Sequence, residues 1–177
     1  MKITKLDCVV GIIAGLICFG VLINVPVWAM FIGWGWYTAL GSDVSIFRSA
    51  IPSMFVGYIL SAISIVTYTA SNNNIYVLVF VVGLTVFIQM LSLKKKAFSC
   101  ALASFNAYSC LFAVYSAGTF PAMTTSMQWD INNVLIALLW VGMANTLGLI
   151  CGYISINLGT NDSNEKRHNK QDTFEIF

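Results

Sequence analysis

Thr85 and Gln89 stand four residues apart in an uncharged apolar run, which on a helix puts a hydroxyl and a carboxamide on one face. Ser104 and Asn106 sit in a second such run, and Asn145 and Thr146 in a third, while Trp34 and Tyr37 belong to an aromatic group that includes Trp36. Amides and hydroxyls surrounded by apolar sequence need partners. They find them across helix interfaces, as interhelical glue, or along a wet path, where amides, hydroxyls and ring edges suit a small neutral solute. For Trp34 and Tyr37 the competing reading is an anchoring belt at a membrane surface. Other chemistry is sparse. The sole histidine is His168, in a polar C-terminal stretch, and Asp7, Asp43 and Asp130 fall at the ends of the apolar runs. That pattern argues against carboxylate proton relays and against hydrolases that pair a base with a nucleophile. Cys8, Cys18, Cys100, Cys110 and Cys151 form no C-x-x-C motif, so they read as small core hydrophobes. The expectation is a protein without catalytic, metal or cofactor sites.

The elements that position these groups are apolar helices. The chain is 58% hydrophobic and 9% charged, against about 25% charged for a soluble domain, and its mean hydropathy is +0.81. The sequence predicts an all-α, polytopic transmembrane bundle of six helices over 1–158, spanning about 7–23, 26–41, 49–69, 75–93, 97–117 and 131–155. A polar tail follows at 159–177. No charge occurs from Cys8 to Gly41. One helix of that length would run about 50 Å, well beyond a hydrocarbon core about 30 Å thick. A break is expected at Asn24-Val25-Pro26, since proline removes a donor and crowds the preceding turn. The alternative is one kinked helix and five crossings. A cleaved signal peptide is disfavoured by the large residues around Val27-Trp28-Ala29.

Charge orients this map. All nine Lys and Arg fall on one side of six crossings: Lys2, Lys5, Arg48, Lys94, Lys95, Lys96, Lys166, Arg167 and Lys170. Short basic loops stay in the cytoplasm, which predicts cytoplasmic termini. The turn Ser71-Asn72-Asn73-Asn74 and the loop 118–129 would lie outside, and Asp130 would cap the last helix. The lipid bilayer is the expected partner, and membrane proximity accounts for the basic clusters without nucleic acid.

Small residues mark where helices meet: Gly11 with Gly15, then Ser99, Ala103 and Ala107, then Ala144, Gly148 and Gly152. They suit contacts within one chain or between chains of a homo-oligomer. Three spans per half would make an internal duplication an inverted one. Gly15-Leu16 with Phe19 matches Gly83-Leu84 with Phe87, and Val56-Gly57 resembles Val141-Gly142.

The stretch Trp28–Trp36, the run Phe47–Val66 and the stretch Phe105–Ala113 resemble the YcdZ-type family of small bacterial inner-membrane proteins, grouped as a domain of unknown function. Members tend to carry a Pro-Gly pair shortly before the first Phe of the last stretch, where this chain has Leu102-Ala103. The resemblance implies a multi-pass protein of the bacterial inner membrane and carries over no catalytic or binding residues. Two functions fit: a channel or facilitator for a small uncharged or weakly polar solute, or a non-transporting scaffold or assembly partner.

Overall fold

A computed structural model describes residues 3–117 and 131–160. The 118–129 loop, Asp130, Lys2 and the tail beyond Thr160, with His168 and the last three cations, lie outside the described residues. The chain folds as an all-helical bundle: α1 (Lys5–Cys18, continued by a 3-10 turn Phe19–Ile23), α2 (Val27–Ala39), α3 (Ile46–Ala70), α4 (Ile75–Ser92), α5 (Ala101–Ala117) and α6 (Ile131–Gly159), with a short 3-10 turn at Lys96–Phe98. Thr4 and Asp7 start α1 with reciprocal bonds, Thr4 N–H to Asp7 at 2.8 Å and Asp7 N–H to the Thr4 hydroxyl at 3.3 Å. The first apolar stretch is broken. Asn24 adopts the left-handed conformation after the 3-10 turn, and Pro26 N-caps α2, its carbonyl accepting from Ala29 and Met30.

Among the described residues four segments are long and apolar enough to cross a membrane: Lys5–Ile23, Ile46–Ala70, Ile75–Ser92 and Ile131–Gly159. Two helices are shorter than their expected spans. α5 begins at Ala101, after the lysine triplet and its 3-10 turn, and leaves Ser99 exposed outside it. α2 has 13 residues, about 20 Å of helix. It is bounded by Pro26 and by Gly41 at φ +95°, and it is buried along α6 rather than bathed in lipid.

Helix directions follow from the contacts. α3 and α5 run parallel, since Ser53 meets Cys100, Gly57 meets Ser104 and Ser61 meets Tyr108. α2 and α6 also run parallel, from Gly33 beside Asn145 to Tyr37 beside Gly152. α1 lies antiparallel on α6, with Leu6 against Gly159, and α4 lies antiparallel on α5, with Thr85 at Tyr108 and Gln89 at Ser104. This arrangement gathers Lys5, Arg48, Lys94, Lys95 and Lys96 at one end of the bundle. The same end is tied together by the Tyr37–Phe47–Tyr153 ring cluster and by the 3.1 Å bond from Cys100 N–H to Ser53 Oγ.

Lipid tails are as apolar as leucine, so the helices are held by close approach and hydrogen bonds rather than by hydrophobic expulsion. A Cβ at Gly57 would overlap the Ser104 carbonyl, and one at Gly148 would overlap the Met30 carbonyl. Both crossings therefore require glycine.

These two crossings are equivalent. The buried positions of α2 (Ala29, Met30, Gly33, Trp34, Trp36, Tyr37) recur with identical spacing in α5 as Ala103, Ser104, Ala107, Tyr108, Cys110 and Leu111. Of the buried positions of α3, Ala50, Ser53, Met54, Gly57, Tyr58, Ser61 and Ser64 recur in α6 as Val141, Ala144, Asn145, Gly148, Leu149, Gly152 and Ser155, whereas Leu60, Ala62 and Ile65 have no buried counterpart. In α1 the buried residue is Ile17, and its counterpart in α4 is Thr85. Neighbours exchange in the same way. α3 packs on α5 as α6 packs on α2, and α3 packs on α4 as α6 packs on α1. The halves α1–α3 and α4–α6 thus repeat one pattern with reversed direction. The Gly15–Gly83 pairing agrees with this register, but the Val56-Gly57/Val141-Gly142 pairing does not. Gly57 pairs with Gly148, because backbone approach, not local apolar sequence, fixes the match.

Candidate functional site

Among the described residues the buried polar side chains concentrate where α3, α4 and α5 meet. α3 presents Ser53, Ser61 and Ser64 on the stripe that contains Gly57, so its small hydroxyls face the same neighbour as the close crossing. α4 buries only Thr85 and Gln89. α5 supplies Ser104 and Tyr108, one helical turn apart.

Three hydroxyls meet in a triangle. Ser64 Oγ lies 2.9 Å from Thr85 Oγ1 and 2.8 Å from the Tyr108 hydroxyl, and Thr85 and Tyr108 are 3.0 Å apart. Every proton has a place. Thr85 donates to the Val81 or Val82 carbonyl at 2.9 and 3.1 Å, Ser64 donates to the Leu60 carbonyl at 3.0 Å, and Tyr108 donates within the triangle. Ser61 Oγ donates to the Tyr108 carbonyl at 3.0 Å. One turn along α4, Gln89 Nε2 donates to Ser104 Oγ at 2.8 Å. Among the described residues the Gln89 Oε1 atom has no partner, although Gln89 is 0% exposed.

A second carboxamide shares this condition nearer the middle of the bundle. Asn145 Nδ2 donates to the Tyr58 hydroxyl, with Cys110 adjoining, and Asn145 Oδ1 has no partner. Turning either amide over exchanges its ends and leaves the other end bare, so one open valence per carboxamide is independent of the assignment. The Trp36 indole N–H is also buried without a partner.

Thr85, Gln89 and Ser104 come together, whereas Asn145 pairs with Tyr58 instead. Asn106 is half-buried on α5. Thr146 donates to the Gly142 carbonyl of its own helix at 2.8 Å and lines an outer cavity. Trp34 and Tyr37 do not form an interfacial belt: both are buried, with ring and Cβ atoms 3.0 Å from where a Gly152 Cβ would stand. Ala103, Ala107, Ala144, Gly148 and Gly152 pack between helices. Gly11 and Gly15 do not; they face outward from α1 with open space at the Cβ position. Ser53, Tyr58, Ser61, Ser64 and Tyr108 were not singled out from sequence. The spacing of Ser53, Gly57, Ser61 and Ser64 was the available signal.

Two cavities of about 280 Å³ each lie elsewhere, in the outer groove between α3 and α6. Phe55, Leu139 and Met143 line one, and Ile59, Ile63 and Leu135 the other. All six side chains are exposed, the kind of surface that lipid chains contact in a bilayer.

No curated protein and no solved structure matches the chain. A family model described as a protein of unknown function (DUF1097) matches residues 8–160, from the first turn of α1 to the end of α6. The chain belongs to that family of uncharacterised proteins, and its apolar helices make it a membrane protein.

Proposed function

We propose that this protein is a facilitator for a small uncharged polar solute, working in the bacterial inner membrane with its basic end and both termini in the cytoplasm. The observation that carries the reading is the pair of carboxamides, Gln89 and Asn145, each fully buried with one polar end unused. A buried polar atom without a partner costs about 1–3 kcal/mol, and buried polar groups in proteins are nearly always satisfied. A purely structural amide would gain by closing that valence. A passing donor or acceptor would close it only transiently, which is what a facilitator requires. Repetition of one three-helix pattern in reversed direction is the architecture on which many transporters are built. Among the described residues no acid lies in mid-helix within the bundle, in keeping with a neutral cargo.

The second reading is a non-transporting scaffold. The Ser64–Thr85–Tyr108 triangle favours it, because its three protons are already placed, two on carbonyls of their own helices and one within the triangle. Solute flux into proteoliposomes separates the two. The facilitator reading expects at least one of urea, acetamide, glycerol and ammonia to enter faster than into empty vesicles. Rates equal to empty vesicles for all four would leave the scaffold.

A further inference from the structure

The two halves share a scaffold but not its chemistry. Around the α3–α5 crossing stand Ser64, Thr85, Tyr108 and Ser104; at the matching places around the α6–α2 crossing stand Ser155, Ile17, Trp34 and Met30. The same register sets Gln89 opposite Val21, which lies 64% exposed on the 3-10 turn. Symmetric packing therefore does not require the polar groups, and one half does without most of them. Within the polar half the buried side-chain atom left with no partner among the described residues is Gln89 Oε1, while Ser64, Thr85 and Tyr108 lie within hydrogen-bond reach of one another.

A primary carboxamide whose nitrogen is lightly held and whose oxygen is free has a specific complement. It is another neutral amide in the cis arrangement, which donates N–H to Oε1 and accepts from Nε2 through its own carbonyl. Such a guest exchanges one bond, Nε2 to Ser104 Oγ, for two. Making room falls to α4, which of the three helices at this seam buries the fewest side chains, Thr85 and Gln89, and so shifts with the least loss of packing there. We infer that the α3–α4–α5 seam, at Gln89 and Ser104 and not at its counterpart in the other half, binds one small neutral amide per chain. Urea and acetamide are members of that class. The inference rests on the facilitator reading for its purpose, but binding is measurable without transport.

The test uses the full chain in lipid nanodiscs with glutamine side-chain nitrogens labelled. The protein has three glutamines, Gln89, Gln128 and Gln171; Gln128→Asn and Gln171→Asn assign the third signal by elimination, so Gln89 itself need not be changed. Titration with acetamide is expected to move the Gln89 amide signal to a plateau while the other two stay in place. Ser104→Ala, which leaves Gln89 intact, is expected to displace the starting signal and shift the titration midpoint. A Gln89 signal that stays still, or drifts without saturating together with the other two, overturns the site. In proteoliposomes Gln89→Met is expected to lower acetamide entry about tenfold, the loss of roughly one hydrogen bond's discrimination. Wild-type acetamide entry in folded Gln89→Met would sink the site while leaving the facilitator reading standing. A saturable signal shift with no flux of any solute would sink the facilitator reading and leave the site.

Discussion

The α3–α5 and α2–α6 pairs are built on the same rule and finished differently. Each runs parallel, and each is set by a glycine pressed onto a carbonyl, Gly57 on Ser104 and Gly148 on Met30. Away from that contact they diverge. One pair takes a polar flank from α4 through Thr85 and Gln89, while the other takes an apolar one from α1 through Ile17. Because the same geometry appears with and without hydroxyls, packing of small residues fixes the scaffold. The polar ladder is an addition to it, expected to fasten α4 and to make chemistry possible on one side only.

The largest effects should fall on the shared rule. Gly57→Leu and Gly148→Leu are each expected to destabilise the bundle by about 3 kcal/mol, since backbone on a facing helix cannot yield to a side chain. Unfolding of the purified variants in mixed micelles reads this. Gly15→Leu and Gly83→Leu, equivalent to one another and facing open space, are expected to lie within about 0.5 kcal/mol of wild type. A severe loss at Gly57 and none at Gly148 would break the equivalence of the two halves.

That equivalence was only partly legible in the sequence. Bundle class, the break at Asn24–Pro26 and the Gly15–Gly83 match come from proline chemistry and local pattern, which a single chain displays. The Gly57–Gly148 match does not, because what the two glycines share is a carbonyl on another helix. In apolar sequence any Val-Gly resembles any other, and Val141-Gly142 drew the eye instead. The site was half legible for a similar reason. Gln89 and Asn145 stand out because amides are rare among leucines and valines, and Thr85 because it stands one turn from Gln89. Ser64 and Tyr108 do not, since serine and tyrosine are tolerated almost anywhere in such helices. The burial of Trp34 and Tyr37 was hidden because it is set by another helix, α6, whose Gly152 leaves the space they fill.

A smaller effect tests what fastens the flanking helices. Thr85→Val removes one corner of the hydroxyl triangle and leaves Ser64 bonded to Tyr108 at 2.8 Å. The expected cost is about 1 kcal/mol, near the upper part of the range for interhelical bonds in membranes. Ile17→Val, at the matching place on α1, removes one methylene and should cost about 0.5 kcal/mol. Steric trapping in bicelles resolves that difference. Equal costs would mean that α4 is held by its general fit and that the triangle is incidental.

The sharpest comparison uses a buried serine that both halves keep. Ser64 and Ser155 occupy equivalent positions, and both are 0% exposed. Each donates to a carbonyl of its own helix, Ser64 to Leu60 at 3.0 Å and Ser155 to Gly152 at 2.8 Å. Only Ser64 also reaches other helices, through Thr85 and Tyr108. Alanine at either position forfeits the local bond, whose loss is small because the carbonyl already serves the helix ladder. Alanine at Ser64 forfeits two interhelical contacts as well, although Thr85 and Tyr108 keep each other at 3.0 Å, which limits the damage. Ser64→Ala is therefore expected to cost about 1 kcal/mol and Ser155→Ala less than about 0.5 kcal/mol. The gap between them reads the cross-helix share, since burial and residue type are matched and each keeps one bond to its own helix. If the two variants unfold alike, the hydroxyls of the polar half add no adhesion, and the asymmetry between the halves would have to be explained by what the seam binds rather than by what it holds together.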